Sequence, residues 1–196
     1  MIVPALFFLI WDEWFTRQAV WSFNKDYITG LKLLSLPVEE VLFFVTVPYC
    51  CVFVYECIRC YFPHLKNKKA GDYLLMLIVG LIFIAGVMNL SKDYTASAFL
   101  LNALFIVCLF IFRKWFQGFD ATSFLVAYII CLVPFFLVNG LLTALPVVLY
   151  NDAENLGIRL FSFMPWPMHN IPFEDTFYGM LLILMNVALF EKFRSY

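Results

Sequence analysis

The residues best placed to do chemistry are two pairs of acids, Glu39-Glu40 and Glu174-Asp175, each beginning two positions after a proline, Pro37 and Pro172. A proline suits the first helical position, where its missing N–H is not needed, and acids suit the first turn, where the helix dipole favours negative charge. On that account the pairs only start helices. Their duplication argues for more, because ionisable groups in an apolar chain are costly and mark functional positions. Desolvation disfavours the charged form of a carboxyl group, so one acid can hold a proton at neutral pH while a second accepts one. A proton-donating carboxyl, an accepting carboxylate and aromatic faces together suit chemistry through a carbocation. Trp11, Trp14, Trp21, Phe43 and Phe44 could supply those faces, and Phe177-Tyr178 follow the second pair.

The elements that must position these acids are membrane helices. The chain is 64% hydrophobic, 20% aromatic and only 14% charged, more apolar than a water-soluble fold can cover. Its net charge of −1 points to no class of partner, nucleic acid included. Five apolar stretches, residues 38–60, 73–90, 96–112, 122–149 and 172–192, approach or exceed the roughly 20 residues that cross a bilayer. The fourth contains Pro134, Gly140 and Pro146, which predict a kink or tilt. Ile2–Ile10 is less than half a crossing and lacks the basic start of a signal peptide, so it reads as a truncated sixth helix. The expected fold is an all-α, polytopic transmembrane bundle of about six helices. All six cysteines lie in or beside apolar runs and read as small hydrophobes, Cys57-x-x-Cys60 included.

Basic residues gather on cytoplasmic loops. Placing the 61–72 loop there collects Arg59, Lys66, Lys68, Lys69, Arg113, Lys114, Lys192 and Arg194, eight of the thirteen, and predicts a cytoplasmic C-terminus. Both proline–acid motifs then lie on the opposite face. The motifs also align without gaps: Pro37 to Glu56 and Pro172 to Glu191 are each nineteen residues apart. Upstream, Asp12 with Ser22-Phe23 echoes Asp152 with Ser162-Phe163 at a spacing of 140. These echoes predict a parallel internal repeat, residues 1–72 and 96–196 joined by a linking helix at 73–95, with a site between the copies.

Trp11-Asp-Glu-Trp-Phe-Thr, Val20-Trp-Ser-Phe-Asn24, Leu36-Pro-Val-Glu-Glu-Val-Leu-Phe-Phe44, Pro48-Tyr-Cys-Cys-Val-Phe-Val-Tyr-Glu56, Ile171-Pro-Phe-Glu-Asp-Thr-Phe-Tyr-Gly-Met180 and Leu184-Met-Asn-Val-Ala-Leu189 resemble the flavin-independent, membrane-embedded lycopene cyclases, in the fused form of the heterodimeric type. The likeness covers essentially the whole chain. Such proteins carry another helix and a half before the Trp-Asp motif, so the resemblance implies a start missing here. It implies redox-neutral isomerisation of a linear carotenoid in the bilayer, lycopene to γ- or β-carotene, with no cofactor or metal. It carries acid and base roles to Glu39, Glu40, Glu174 and Asp175. It implies substrate contacts from Trp11, Asp12, Trp21, Asn24, Phe43 and Phe44, and from Asn151, Phe177 and Tyr178. Adjacent helical residues point about 100° apart, so one acid of each pair faces inward; the matching Glu39 and Glu174 are the expected ones. Self-association, or association with other carotenoid enzymes, is the protein partnership to expect.

Two other classes compete. Asn151-Asp152-Ala-Glu154-Asn155 is superficially like the acidic motifs that hold magnesium and diphosphate in membrane prenyltransferases, although a second such cluster is missing. A proton or solute carrier would also use repeats and membrane acids, but at mid-helix rather than at helix starts. His64 and His169, one in each type of loop, lack ligands at metal-binding spacing.

Overall fold

A computed structural model of the chain describes residues 1–66, 69–163 and 170–194. Lys68 and His169 lie outside the described residues. The helices are α1 (Ile2–Arg17), α2 (Val38–Tyr61), α3 (Lys69–Met88), α4 (Asp93–Ile111), α5 (Ala121–Ala144) and α6 (Phe173–Arg194). The last five are long and apolar enough to cross a membrane. Each satisfies its own backbone hydrogen bonds, which is what a lipid solvent requires. α1 has 16 residues and continues past Asp12 and Glu13. Its buried Phe8, Trp11, Asp12 and Phe15 share one face at helical spacing.

One end of the bundle is closed by short strands that an all-helical reading omits: β1 (Trp21–Phe23), β2 (Lys32–Leu33), β3 (Leu36–Pro37), β4 (Val148–Tyr150), β5 (Arg159–Leu160) and β6 (Ile171–Pro172). They pair antiparallel as β1–β4, β2–β3 and β5–β6. The apolar stretch expected at 122–149 is therefore two elements. α5 stops at Ala144, because Pro146 has no N–H to continue the helical hydrogen bonds and its ring would crowd the carbonyl of Leu142, and Val148–Tyr150 become β4.

These strands reveal a repeat in the backbone. Val20 N–H donates to Phe15 C=O, and Val147 N–H to Leu142 C=O. Asn24 N–H donates to Val147 C=O, and Asn151 N–H to Val20 C=O. Asn24 and Asn151 each turn their side-chain oxygen onto the amide two residues on. Positive φ recurs at Gly30 and Gly157, then at Leu34 and Phe161. Every one of these pairs is 127 residues apart. Eight more residues follow Phe161 in the second copy, so that Pro37 and Pro172 stand 135 apart at the starts of α2 and α6. β1 and β4 pair about Ser22 and Leu149, also 127 apart, as a local two-fold axis through that pair requires. The run from α1 to α2 thus matches the run from α5 to α6, with α3 and α4 between them. The echo expected at a spacing of 140 does not hold. Asp12 is buried on α1, whereas Asp152 lies exposed in a loop and pairs with Arg159; Ser22 is in a strand, whereas Ser162 is in a turn.

At the opposite end the repeat recurs in charge. Arg59 of α2 pairs with Glu191 of α6, and Arg194 of α6 with Glu56 of α2, each residue 135 from its counterpart. Between the ends, α2 packs on α5 and α6, and α3 on α4 and α5. Gly71 lets α3 lie against the start of α5, where its N–H reaches Thr122 Oγ1 at 3.1 Å.

Candidate active site

A small cavity of about 80 Å³ lies beneath the β1–β4 pair and is lined by three carboxyl groups, those of Asp12, Glu40 and Asp175. α1, α2 and α6 supply one each. Trp21, Phe23, Phe43, Tyr94, Tyr150 and Tyr178 surround them, with Asn139 of α5. The lining follows the repeat. Asp12 and Asn139, Trp21 and Val148, and Phe23 and Tyr150 are pairs at a spacing of 127; Glu40 and Asp175, and Phe43 and Tyr178, are pairs at 135. The cavity therefore sits on the local axis.

Its polar contacts are not symmetric. Asp175 accepts three hydrogen bonds: from Tyr94 Oη at 2.5 Å and Asn139 Nδ2 at 2.6 Å, and from Tyr150 Oη at 2.9 Å. Burial pushes the Tyr150 hydroxyl well above the usual tyrosine range, and the Asp175 carboxylate raises it further, so Tyr150 remains a donor. Asp12 accepts one hydrogen bond, from Tyr178 Oη at 2.5 Å. Glu40 receives none from the described residues. Its counterparts to Asn139 and Tyr150 are Asp12, which is an acceptor, and Phe23, which has no polar group. The repeat places like acids at matching positions and then surrounds them with unlike partners.

The other acids lie elsewhere. Glu39 is exposed and accepts the Thr29 N–H at 2.8 Å. Glu174 is fully buried beside the cavity, where one oxygen accepts from Thr95 Oγ1 at 2.6 Å and from Leu156 N–H at 2.7 Å, tying α6 to α4 and to the 150s loop. The acids that face the cavity are thus Glu40 and Asp175, not the expected Glu39 and Glu174. Those positions do match, but the second acid of each pair lines the cavity, while Glu39 is exposed and Glu174 is buried beside it.

Among the aromatic positions, Trp21, Phe43 and Tyr178 line the cavity. Trp11 and Phe44 are buried one layer behind, in contact with Phe8 and Tyr178. Phe177 packs on Phe99 and Phe173, away from the acids. Asn24 and Asn151 shape the loops that carry β1 and β4 rather than the cavity wall. Phe23, Tyr94, Asn139 and Tyr150 were not foreseen. Matching Asn24 with Asn151 and Gly30-Leu-Lys-Leu with Gly157-Ile-Arg-Leu would have found all but Tyr94.

The acids of Asn151–Asn155 are engaged locally. Asp152 pairs with Arg159, and Glu154 accepts the Asp93 N–H at 3.2 Å. No group of three His, Cys, Asp or Glu placed to hold a metal occurs among the described residues.

A family model described as "Lycopene cyclase" matches residues 1–58 and 91–193. The chain is 29% identical over 89 residues to a "Bifunctional lycopene cyclase/phytoene synthase" of Aspergillus niger, a match covering 43% of this chain and 15% of that protein. Proteins of the same description from Podospora anserina and Neurospora crassa are 37% identical over 49 residues and 40% over 47, covering 25% and 24% of this chain and 8% of each relative. The matched region is thus a small part of each curated relative. No solved structure matches the chain.

Proposed function

This chain belongs to the lycopene cyclase family, and from that premise we propose that it cyclises the ψ-ends of a linear carotenoid by acid–base chemistry alone. One observation carries the assignment of roles: two equivalent acids face one aromatic cavity, one supplied with three donors and the other with none. A half-buried carboxyl that faces an apolar cavity without donors is more stable neutral, and a buried one ringed by donors is more stable charged. Glu40 is accordingly the proton donor and Asp175 the fixed anion.

Glu40 delivers its proton to C2 of the chain end, leaving a tertiary cation at C1. The C5–C6 double bond closes on C1, forming the ring bond and moving the positive charge to C5. Loss of the C6 proton then gives the β-ring, so the atoms gained and lost balance and no electrons are exchanged. Asp12, a carboxylate held by a single hydrogen bond, accepts that proton. Asp175 and the faces of Trp21 and Phe43 offset the travelling positive charge. Tyr94 and Tyr150 hold Asp175 in its charged form. The reading requires no flavin, nicotinamide or metal, and it places the substrate in the bilayer and the C-terminus in the cytoplasm.

Pigment extraction from a lycopene-making host expressing the chain tests this. Cyclised carotenoid is expected with the unaltered chain, and its loss with Glu40→Gln. Lycopene left unchanged by a well-expressed chain, or full turnover by Glu40→Gln, would overturn the assignment.

A further inference from the structure

A second, larger cavity, of about 270 Å³, continues from the first between α2, α5 and α6. The two share Phe43, Phe135, Asn139 and Tyr178 among their lining residues. Its own lining runs along α5 from Tyr128 to Leu142, about 21 Å at the helical rise. Thr46 and Cys50 on α2, with Pro134 and Val138 on α5, are exposed where the groove opens sideways. That opening faces lipid.

The repeat shows how the groove is kept open on this side. Gly179 lines it, and the residue 135 positions earlier is Phe44. On the matching side Phe44 is fully buried and stacks on Phe8 with ring centroids 5.8 Å apart. Val138 likewise corresponds to the buried Trp11, 127 positions earlier. Aromatic rings fill one of two equivalent spaces; a glycine and a valine leave the other open. An unfilled groove has no packing partners along its wall, so an apolar chain lying in it restores contacts that the rings supply on the other side.

We infer that this groove holds the polyene chain of the substrate while its end lies among the acids, and that Gly179 and Val138 set its capacity. The inference rests on the cyclase reading for the identity of the chain. The groove reaches only part of the roughly 30 Å hydrocarbon core, so the far half of a long polyene leaves by the lateral opening into the bilayer. The substrate class is therefore a long, unsubstituted, apolar chain with a reactive end, and the ring-forming end is the one drawn furthest in.

The test uses the chain in lipid nanodiscs carrying Glu40→Gln, which separates binding from turnover. An achiral polyene in a chiral groove acquires visible circular dichroism, so lycopene binding is read directly. Glu40→Gln alone should give a saturable signal at one polyene per chain. Adding Gly179→Phe or Val138→Trp, which copy the closed side, should weaken binding about tenfold or more, the scale of one overpacked side chain. Adding Gly80→Ala on α3, away from the groove, should leave binding unchanged, since its Cβ would meet nothing within 4 Å. Val138 is 53% exposed, so its variant keeps the fold if Gly179→Phe does not. Unaltered binding in both bulky variants, absence of the signal in Glu40→Gln, or a lipid chain that lycopene cannot displace would each overturn the inference. Turnover by Glu40→Gln would instead refute the proton assignment and leave the groove to be judged by binding.

Discussion

At the scale of residues, the proposed division of labour between Glu40 and Asp175 depends on a few neighbours, and each can be exchanged. Phe23→Tyr places a hydroxyl where Tyr150 stands in the other copy. If that hydroxyl reaches Glu40, it stabilises the charged form, and cyclisation in the pigment assay should fall roughly tenfold or more, on the scale of a general acid's contribution. Unchanged or faster turnover would show that Glu40 is not the donor. Glu39→Gln should cyclise within about twofold of the parent, because its carboxylate meets only a loop amide outside the cavity; a loss as deep as that of Glu40→Gln would return Glu39 to the site. That two matching helices would start with acids was legible in the sequence, in the two proline–acid motifs. Which acid faces inward was not, because a residue's azimuth on α2 depends on how that helix rotates against α5 and α6. Tyr94 could not be reached from the motifs at all: it comes from α4, outside both copies.

At the scale of elements, five spanning helices followed directly from stretches of apolar residues, but the strands did not. Two- and three-residue strands have too few positions to show alternation, and β4 was concealed within an apolar run that continues a helix. Phe135 and Asn139 line the cavity from α5, and Tyr150 reaches it because Pro146 ends that helix and lets β4 cross the mouth. The hairpin of β2 and β3 is held in turn by Glu13, which accepts from the Ser35 N–H at 2.9 Å and Oγ at 3.1 Å. Helix contacts also test separately from chemistry. Gly71→Ala would drive a methyl group into the backbone of Thr122, at a cost of about 1–3 kcal/mol. Thermal unfolding in detergent should show the lowered midpoint, and an unshifted one would mean that α3 does not approach α5 so closely.

At the scale of the whole molecule, the two-fold arrangement joins both ends of the bundle, and its reciprocal ion pairs differ in burial. The side chains of Arg59 and Glu191 are 15% and 3% exposed, those of Arg194 and Glu56 51% and 29%. Arg59→Ala should therefore cost roughly 3 kcal/mol, the low end for breaking a buried pair, and Arg194→Ala about 1 kcal/mol or less. Equal unfolding midpoints for the two variants would contradict that difference. The repeat was legible at Pro37 and Pro172, where the motifs carry it, and was misaligned upstream because the eight extra residues after Phe161 displace everything before them. A cavity on such an axis offers an incoming chain end two poses related by a half-turn, and on the proposed roles only one of them meets the proton-donating acid. With equal walls, half of all encounters would be idle, a loss of about 0.4 kcal/mol. In the proposed binding mode Phe44 and Trp11 remove that ambiguity by leaving the tail nowhere to lie on their side, so the same event that seats the chain also aims its end.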